Sequence, residues 1–209
     1  MYLTKYHIDI RSQAGRQFLS SDRQELHHII MGCVFGETAK THHILFRAEG
    51  ENLYIQSDVP PKHHPEGLTL IYTQDRDLPL SRLQTGDIVR FNLMAMPVKA
   101  LSQPRGENGC KPRGKRVFLK WPEERMNWLY QKGEKGGFSL LSCTENRRLP
   151  YHFHRYPNKG GNFTLSFMEF TGQMKITDIE AFRKTIHDGI GPERSFGCGL
   201  LFVLPRSST

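Results

Sequence analysis

Apolar and polar residues alternate along Tyr2-Leu3-Thr4-Lys5-Tyr6-His7-Ile8-Asp9-Ile10, a period near two that predicts a strand over residues 2–10. The period then changes. Ser21-Asp22 is an N-cap pair with Glu25 in the first turn, and Leu26, Ile29, Ile30, Cys33 and Val34 form one apolar stripe, so a helix is expected from there to about Val34, ending near Gly36. Residues 42–48 and 52–57 read as a hairpin around Glu49-Gly50-Glu51. Pro60, Pro61 and Pro65 break the pattern, and a weak helix or loop is expected through the 70s. Gly86-Asp87 leads into a strong strand from Ile88 to about Met94.

The same order of periods follows in the second half. Residues 115–120 are expected as a strand. Pro122 stands at the first helical position, with Glu123 and Glu124 in the first turn and Met126, Trp128 and Leu129 as the apolar face. Gly133 to Gly137 ends that helix, and Phe138 to Cys143 is a strand. Phe163 to Ile176 is expected as a strand pair turning at Thr171-Gly172. Thr177-Asp178 caps a helix to His187 that stops at Gly189, and Cys198 to Leu204 closes the chain as a buried strand. The simplest description is α+β: two tandem ferredoxin-like (RRM-like) β-α-β-β-α-β domains, 1–95 and 96–209.

Composition narrows the class. The longest aliphatic or aromatic run, Leu200 to Leu204, is five residues, against roughly 20 for a bilayer span. No membrane partner is therefore expected. The amino-terminal alternation is unlike a signal peptide, and Cys33, Cys110, Cys143 and Cys198 are scattered, so reduced thiols in a cytoplasm are expected. Lys and Arg total 29 against 21 Asp and Glu, giving a formal charge of +8. That balance suits an anionic polymer as partner.

The charge is concentrated. Between residues 99 and 120 stand Lys99, Arg105, Lys111, Arg113, Lys115, Arg116 and Lys120, opposed only by Glu107. Pro and Gly residues punctuate the tip, and Val98–Leu101 and Val117–Leu119 look like hairpin arms. Such a finger suits a phosphate backbone better than it suits a loop kept charged for solubility. On the first helix, at about 100° per residue, His27 falls on the border of the apolar stripe beside Arg23 and Met31, while His28 points to solvent. A border histidine can be held by packing and still meet a substrate, as a general acid or base must. No cysteine, histidine or carboxylate spacing matches a closed zinc site or a two-metal nuclease; His152-x-His154 is the nearest approach. No metal and no cofactor is expected.

The end, Gly189-Ile-Gly-Pro-Glu-Arg-Ser-Phe-Gly-Cys-Gly-Leu-Leu-Phe-Val-Leu-Pro205, is neither a P-loop nor a dinucleotide fingerprint, because the helix precedes it. Gly189 is expected to cap that helix in the left-handed conformation. The stretch resembles the glycine-rich motif of the CRISPR-associated RAMP endoribonucleases, and most closely that of the CasE family, the repeat-processing subunit of type I-E Cascade. Weaker pieces agree in order: the Met-Tyr-Leu-Thr-Lys start, Leu26-His27, Val89-Arg90-Phe91, Trp128-Leu129, Gly137-Phe138-Ser139-Leu140-Leu141 and Phe170-Thr-Gly172.

The resemblance implies two ferredoxin-like domains, metal-independent cleavage of a CRISPR repeat RNA hairpin, a product that stays bound, and other Cascade subunits as partners. It carries the catalytic role onto His27. It implies RNA contacts from the basic hairpin, from Lys159, Arg194 and Ser195, and from the loop of Gly189, Gly191, Gly197 and Gly199. Two departures stand out. Gln24 replaces a tyrosine that the family often has three residues before the histidine, and Met94-Ala95-Met96-Pro97 replaces Arg-Ala-Asn-Pro. The partner of His27 is left open, with Tyr2, His28 and Lys159 as candidates. The competing class is a RAMP-type protein that holds RNA without cutting it.

Overall fold

The computed structural model describes residues 1–40, 42–101, 116–153 and 163–205. Strand β1 (Tyr2–Ile8) is the centre of the first sheet. Its inward Tyr6 and Ile8 meet Phe46, Leu53 and Ile55 in an apolar core. Helix α1 (Gln13–Ser20) follows at once, capped by Ser12, whose hydroxyl accepts from the Gly15 amide at 2.9 Å. This helix was not expected: only Gly15 and Phe18 of it are buried, so it carries little apolar period. The expected helix begins on the expected cap. Asp22 accepts from the Gln24 and Glu25 amides, both at 2.9 Å, and opens α2 (Arg23–Ile29). The chain widens into a π-helical turn, Ile30–Phe35, and stops at Gly36 with φ +57°.

The hairpin of β2 (Ile44–Glu49) and β3 (Asn52–Ser57) forms as expected, with Gly50 at φ +54°. The 70s do not. Leu68–Asp75 is strand β4, paired antiparallel with β1, and the short helix α3 (Asp77–Ser81) comes after it. Only Leu68 of β4 is buried, so the ladder to β1 defines this edge strand and the apolar pattern does not. The first sheet has the order β2-β3-β1-β4, all antiparallel. No helix lies between β3 and β4; the proline-broken segment 58–67 fills that place.

Strand β5 (Ile88–Ala95) corrects the expected division of the chain. It pairs with β9 (Phe163–Ile176) and β10 (Leu201–Pro205) in a second sheet of order β10-β5-β9-β8, with β8 spanning Phe138–Phe153. By sheet membership the division precedes Ile88 and does not follow Ala95. With α4 (Pro122–Gly136) and α5 (Ile179–Asp188), the second unit has complete β-α-β-β-α-β order, packed through Trp128, Leu129, Phe138, Phe170, Phe182 and Ile186. Both sheets have the ferredoxin-like arrangement. Residues 116–118 are not the first strand of that unit. They form β7 (Arg116–Phe118), which pairs with β6 (Val98–Ala100) as a separate ribbon inserted between β5 and α4.

A further correction concerns Thr171-Gly172, which was expected to turn. The 14-residue β9 runs straight through it. A Cβ at Gly172 would lie 2.0 Å from the Ser142 carbonyl oxygen, beside the register shift between Leu140 and Ser142, so glycine is there for backbone approach.

The two units are joined by buried polar groups. Arg47, 1% exposed, reaches Asn92 and Glu169 (2.8 Å) from β2. Arg76 donates to Gln56 and, at 2.5 Å, to the Leu201 carbonyl, while Gln56 donates to the Ile186 and His187 carbonyls. At the edge of this junction His187 lies between Asp58 (3.0 Å) and Asp188 (2.8 Å), with the His43 ring 4.8 Å away. These contacts hold β2 against β5 and β9, the segment after β4 against β10, and β3 against the end of α5. Among the described residues no helix is long and apolar enough to cross a membrane.

Candidate RNA-cleavage site

Helix phase sets the two neighbouring histidines apart. Leu26 and Ile30 are buried in the core, which leaves His27 half-buried at the border and His28 exposed, as expected. The His27 ring stacks on Phe46 of β2, centroids 6.3 Å apart and planes at 25°. Its Nδ1 is buried and has no hydrogen-bond partner among the described residues. Burial, and then the neighbouring charge of His28, hold the imidazole below the ordinary histidine pKa. The neutral form, able to accept a proton, is therefore favoured near pH 7.

One turn earlier on α2, Arg23 is 8% exposed. Its Nη2 donates to the Ala48 carbonyl (3.1 Å) and the Tyr151 hydroxyl (2.6 Å). The guanidinium lies over the Tyr151 ring at 4.4 Å. Its Nη1 is buried and has no hydrogen-bond partner among the described residues.

The glycine-rich loop closes over this pair. Gly189, Gly191, Gly197 and Gly199 all have positive φ, between +76° and +90°. Gly189 has ψ 165°, so it ends α5 with an extended kink and not in the expected left-handed cap. Gly197 is the left-handed one, at φ +81° and ψ 30°. A Cβ there would come 2.8 Å from Phe46 Cε2 and 3.2 Å from Arg23 Nη1. Gly197 thus touches both the ring that stacks on His27 and the arginine that precedes it. The short turn Arg194–Phe196 packs on α2 and β2. Cys198 is buried, donates to the Pro192 and Glu193 carbonyls, and has its thiol pushed up to about 12 by burial, so it is no nucleophile.

Arg194 and Ser195 are exposed on this loop. Arg194 donates to the Asp188 carbonyl at the C-terminus of α5, a position that suits a cation. The expected hairpin cations divide. Lys99, Arg116 and Lys120 are exposed. Lys99 pairs with Glu124 of α4 at 2.7 Å, and Arg116 reaches Glu193 of the glycine-rich loop at 3.4 Å. The structure therefore brings β7 to the loop, and the loop to Phe46 and Arg23, while Lys99 faces α4. Arg105, Lys111, Arg113, Lys115 and Lys159, and His154 of the histidine pair, lie outside the described residues. Among the described residues no three His, Cys, Asp or Glu side chains are grouped so as to hold a metal ion.

Sequence reasoning left three residues of this cluster without a role. Arg23 was visible four residues before His27, on the same border. Phe46 and Tyr151 gave no local signal, because only the pairing of the strands brings them to α2.

A model of the family described as CRISPR associated protein matches residues 1–205. The chain belongs to the CRISPR-associated CasE family. The CRISPR-associated endoribonuclease Cse3 of Thermus thermophilus is 28% identical over 226 aligned residues, covering 98% of the chain and all of the relative. The Cascade subunit CasE of Escherichia coli K12 is 30% identical over 59% of the chain and 61% of its own length. Among solved structures, the Cse3 endoribonuclease bound to a 19 nt RNA superposes with a TM-score of 0.80 at 26% identity, covering 98% of this CasE-family chain and all of Cse3. The crystal structure of Cas6e from Escherichia coli K-12 has a TM-score of 0.71 at 24% identity, over 99% of the chain and 100% of its own, and shares the fold.

Proposed function

We propose that this CasE-family protein is a metal-independent endoribonuclease that cuts CRISPR precursor RNA at a repeat hairpin and stays bound to the guide RNA. The observation that carries the reading is His27: a half-buried imidazole stacked on Phe46, the ring that packs against Gly197, with its pKa lowered by burial. The names of the relatives support the substrate class, since Cse3 is a CRISPR endoribonuclease found bound to RNA and CasE is a Cascade subunit.

The reaction needs no external nucleophile. The 2′-hydroxyl beside the scissile phosphate gives its proton to a base and attacks phosphorus. The bond to the 5′-oxygen breaks, and that oxygen takes up a proton. The products are a 2′,3′-cyclic phosphate and a 5′-hydroxyl. Neutral His27 suits the first transfer, and a positioned imidazole contributes a factor on the order of 10²–10⁴. In-line alignment of the attack contributes much of the rest. The basic ribbon, with Arg116 beside the glycine-rich loop, suits the phosphates of the stem.

Incubation with repeat RNA in excess EDTA tests this reading. Cleavage should persist and leave a cyclic phosphate. Activity lost on chelation and restored by a divalent metal contradicts the mechanism. Tight binding with no cleavage under any condition identifies an RNA-holding scaffold instead, the reading that Gln24 would favour, and assembly with other Cascade subunits would then be its role.

A further inference from the structure

We propose that Arg23 is the phosphate-binding residue of this site, with Nη1 as the donor to a non-bridging oxygen of the scissile phosphate; the inference rests on the cleavage reading above. The observation is a buried cation with no counter-charge. Arg23 is 8% exposed, and among the described residues no carboxylate stands within ion-pair distance of it. Of the other three buried arginines, Arg47 meets Glu49 and Glu169, Arg125 meets Glu145 through two nitrogens at 2.5 and 2.9 Å, and Arg76 has no carboxylate but gives both terminal nitrogens to Gln56 and the Leu201 carbonyl, whereas Arg23 keeps an Nη1 with no acceptor among the described residues. A buried guanidinium held only by a carbonyl, a phenol and an aromatic face is poorly compensated, and its orphaned N–H adds to the cost. Such an arrangement is maintained where an anion arrives.

Geometry says where that anion would sit. Residues four apart on a helix share a face, so Arg23 and His27 lie one above the other on α2. Nη1 lies 3.2 Å from the place a Gly197 Cβ would occupy, and the same point is 2.8 Å from the ring that stacks on His27. His27 Nδ1, the other buried and unpaired nitrogen of the cluster, belongs to the same corner. Nη1 is covered by protein, so a phosphate reaches it only when the Arg194–Phe196 turn or the Tyr151 ring moves aside.

The chemistry is balanced without a further reactant. As the 2′-oxygen bonds to phosphorus and the 5′-oxygen departs, negative charge grows on the two non-bridging oxygens. A guanidinium donor stabilises that charge more than it stabilises the ground state. Tyr151, which shares the guanidinium, is a positioning residue: it fixes Nη2 and so aims Nη1.

The test uses repeat RNA with a single phosphorothioate at the scissile phosphate, each diastereomer separately, under single-turnover conditions. Sulfur accepts a guanidinium hydrogen bond poorly, so the parent should cut one diastereomer more slowly than the other. Arg23→Met should cut all-oxygen RNA about 10²–10³-fold more slowly, the loss typical of one oxyanion donor, and should lose the discrimination between diastereomers. Arg23→Lys should keep part of the rate. Tyr151→Phe keeps the cation and should keep the discrimination. Should Arg23→Met fail to fold, as judged by thermal melting, Arg23→Lys decides: a fully parental rate with lysine, which lacks the planar guanidinium and its Nη1 donor, overturns the inference. Parental rates or intact discrimination in a folded Arg23→Met overturn it as well. A parent that does not cut unmodified repeat RNA overturns the cleavage reading, a distinct result.

Discussion

The His27 ring lies on the Phe46 ring with 6.3 Å between centroids. Phe46 is fully buried, and Gly197 stands so close behind it that even a methyl group would meet its ring at 2.8 Å. The phenyl ring therefore has no room to retreat, and it is one of the groups that bury His27, whose lowered pKa has burial as its main cause.

A pH dependence follows. The folded-state value lies below the ordinary 6.5, so His27 is neutral and able to accept a proton through the neutral range and is protonated only as pH falls beneath that value. The single-turnover cleavage rate should rise with pH through an inflection below 6.5 and then level off. A rate that falls with rising pH would assign His27 the role of acid, and a rise with its inflection above 7 would contradict the lowered His27 pKa. The same shift predicts that the contribution of His27 to stability declines as pH drops from about 6.5 through the folded value.

Gly197 offers a control built into the chain. Gly197→Ala places a side chain at φ +81° and against Phe46 and Arg23, whereas Gly50→Ala, at φ +54°, meets nothing within 4 Å. Both substitutions should cost on the order of 1–2 kcal/mol of stability for the left-handed backbone. Only Gly197→Ala should also slow cleavage, with RNA affinity retained. Equal cleavage by the two variants would show that the glycine-rich loop does not position His27.

His187 bridges the two units through Asp58 while its other ring nitrogen meets Asp188 on its own helix, and the hydrogen bond to Asp188, with Asp58 adding to it, raises its pKa. A raised folded value means that the ion pairs stabilise fully below the unfolded 6.5 and lose that effect as pH climbs through the folded value. Asp58→Asn should thus lower the melting temperature more at pH 6 than at pH 8. Both groups are more than a third exposed, so solvent screening limits the effect to about 1 kcal/mol or less, roughly 2–4 °C for a chain of this size. A larger loss at pH 8 would reverse the assignment.

The basic hairpin governs affinity in this scheme. Replacing Lys111, Arg113, Lys115 and Arg116 by Ala should weaken repeat-RNA binding and flatten its salt dependence, by roughly 0.9 in log–log slope for each duplex phosphate that the hairpin no longer neutralises. Binding titrations from low to moderate salt measure this directly. An unchanged slope would leave the hairpin as solvated surface.

Much of the fold was legible where apolar period and caps coincide. Asp22, Pro122 and Asp178 open helices where the sequence predicts them, because the two aspartates accept from amides of their own first turn and the proline ring presets the helical φ. The edge strand β4 was not read as one: its Leu70 and Ile71 stay exposed and only Leu68 is buried, so its apolar residues mark no core face, and its hydrogen-bonded neighbour lies 60 or more residues away in sequence. Missing it displaced β5 into the wrong sheet. His27 could be found from helix phase alone. Phe46 and Tyr151 could not, since they reach α2 only through strand pairing and the contact between the two units. Arg23 was visible, but nothing local shows that it is buried without a carboxylate.

The central claim is that His27 transfers a proton during cleavage and adds little to binding. Single-turnover cleavage of repeat RNA by His27→Ala, beside His28→Ala, tests it most directly, with the dissociation constant of each measured in parallel. The expected result is a loss of at least about 10²-fold in rate for His27→Ala with near-parental affinity, and near-parental rate and affinity for His28→Ala on the solvent face of the same helix. Parental cleavage by both variants would place the active site elsewhere, and a dead His28→Ala beside an active His27→Ala would exchange the two roles.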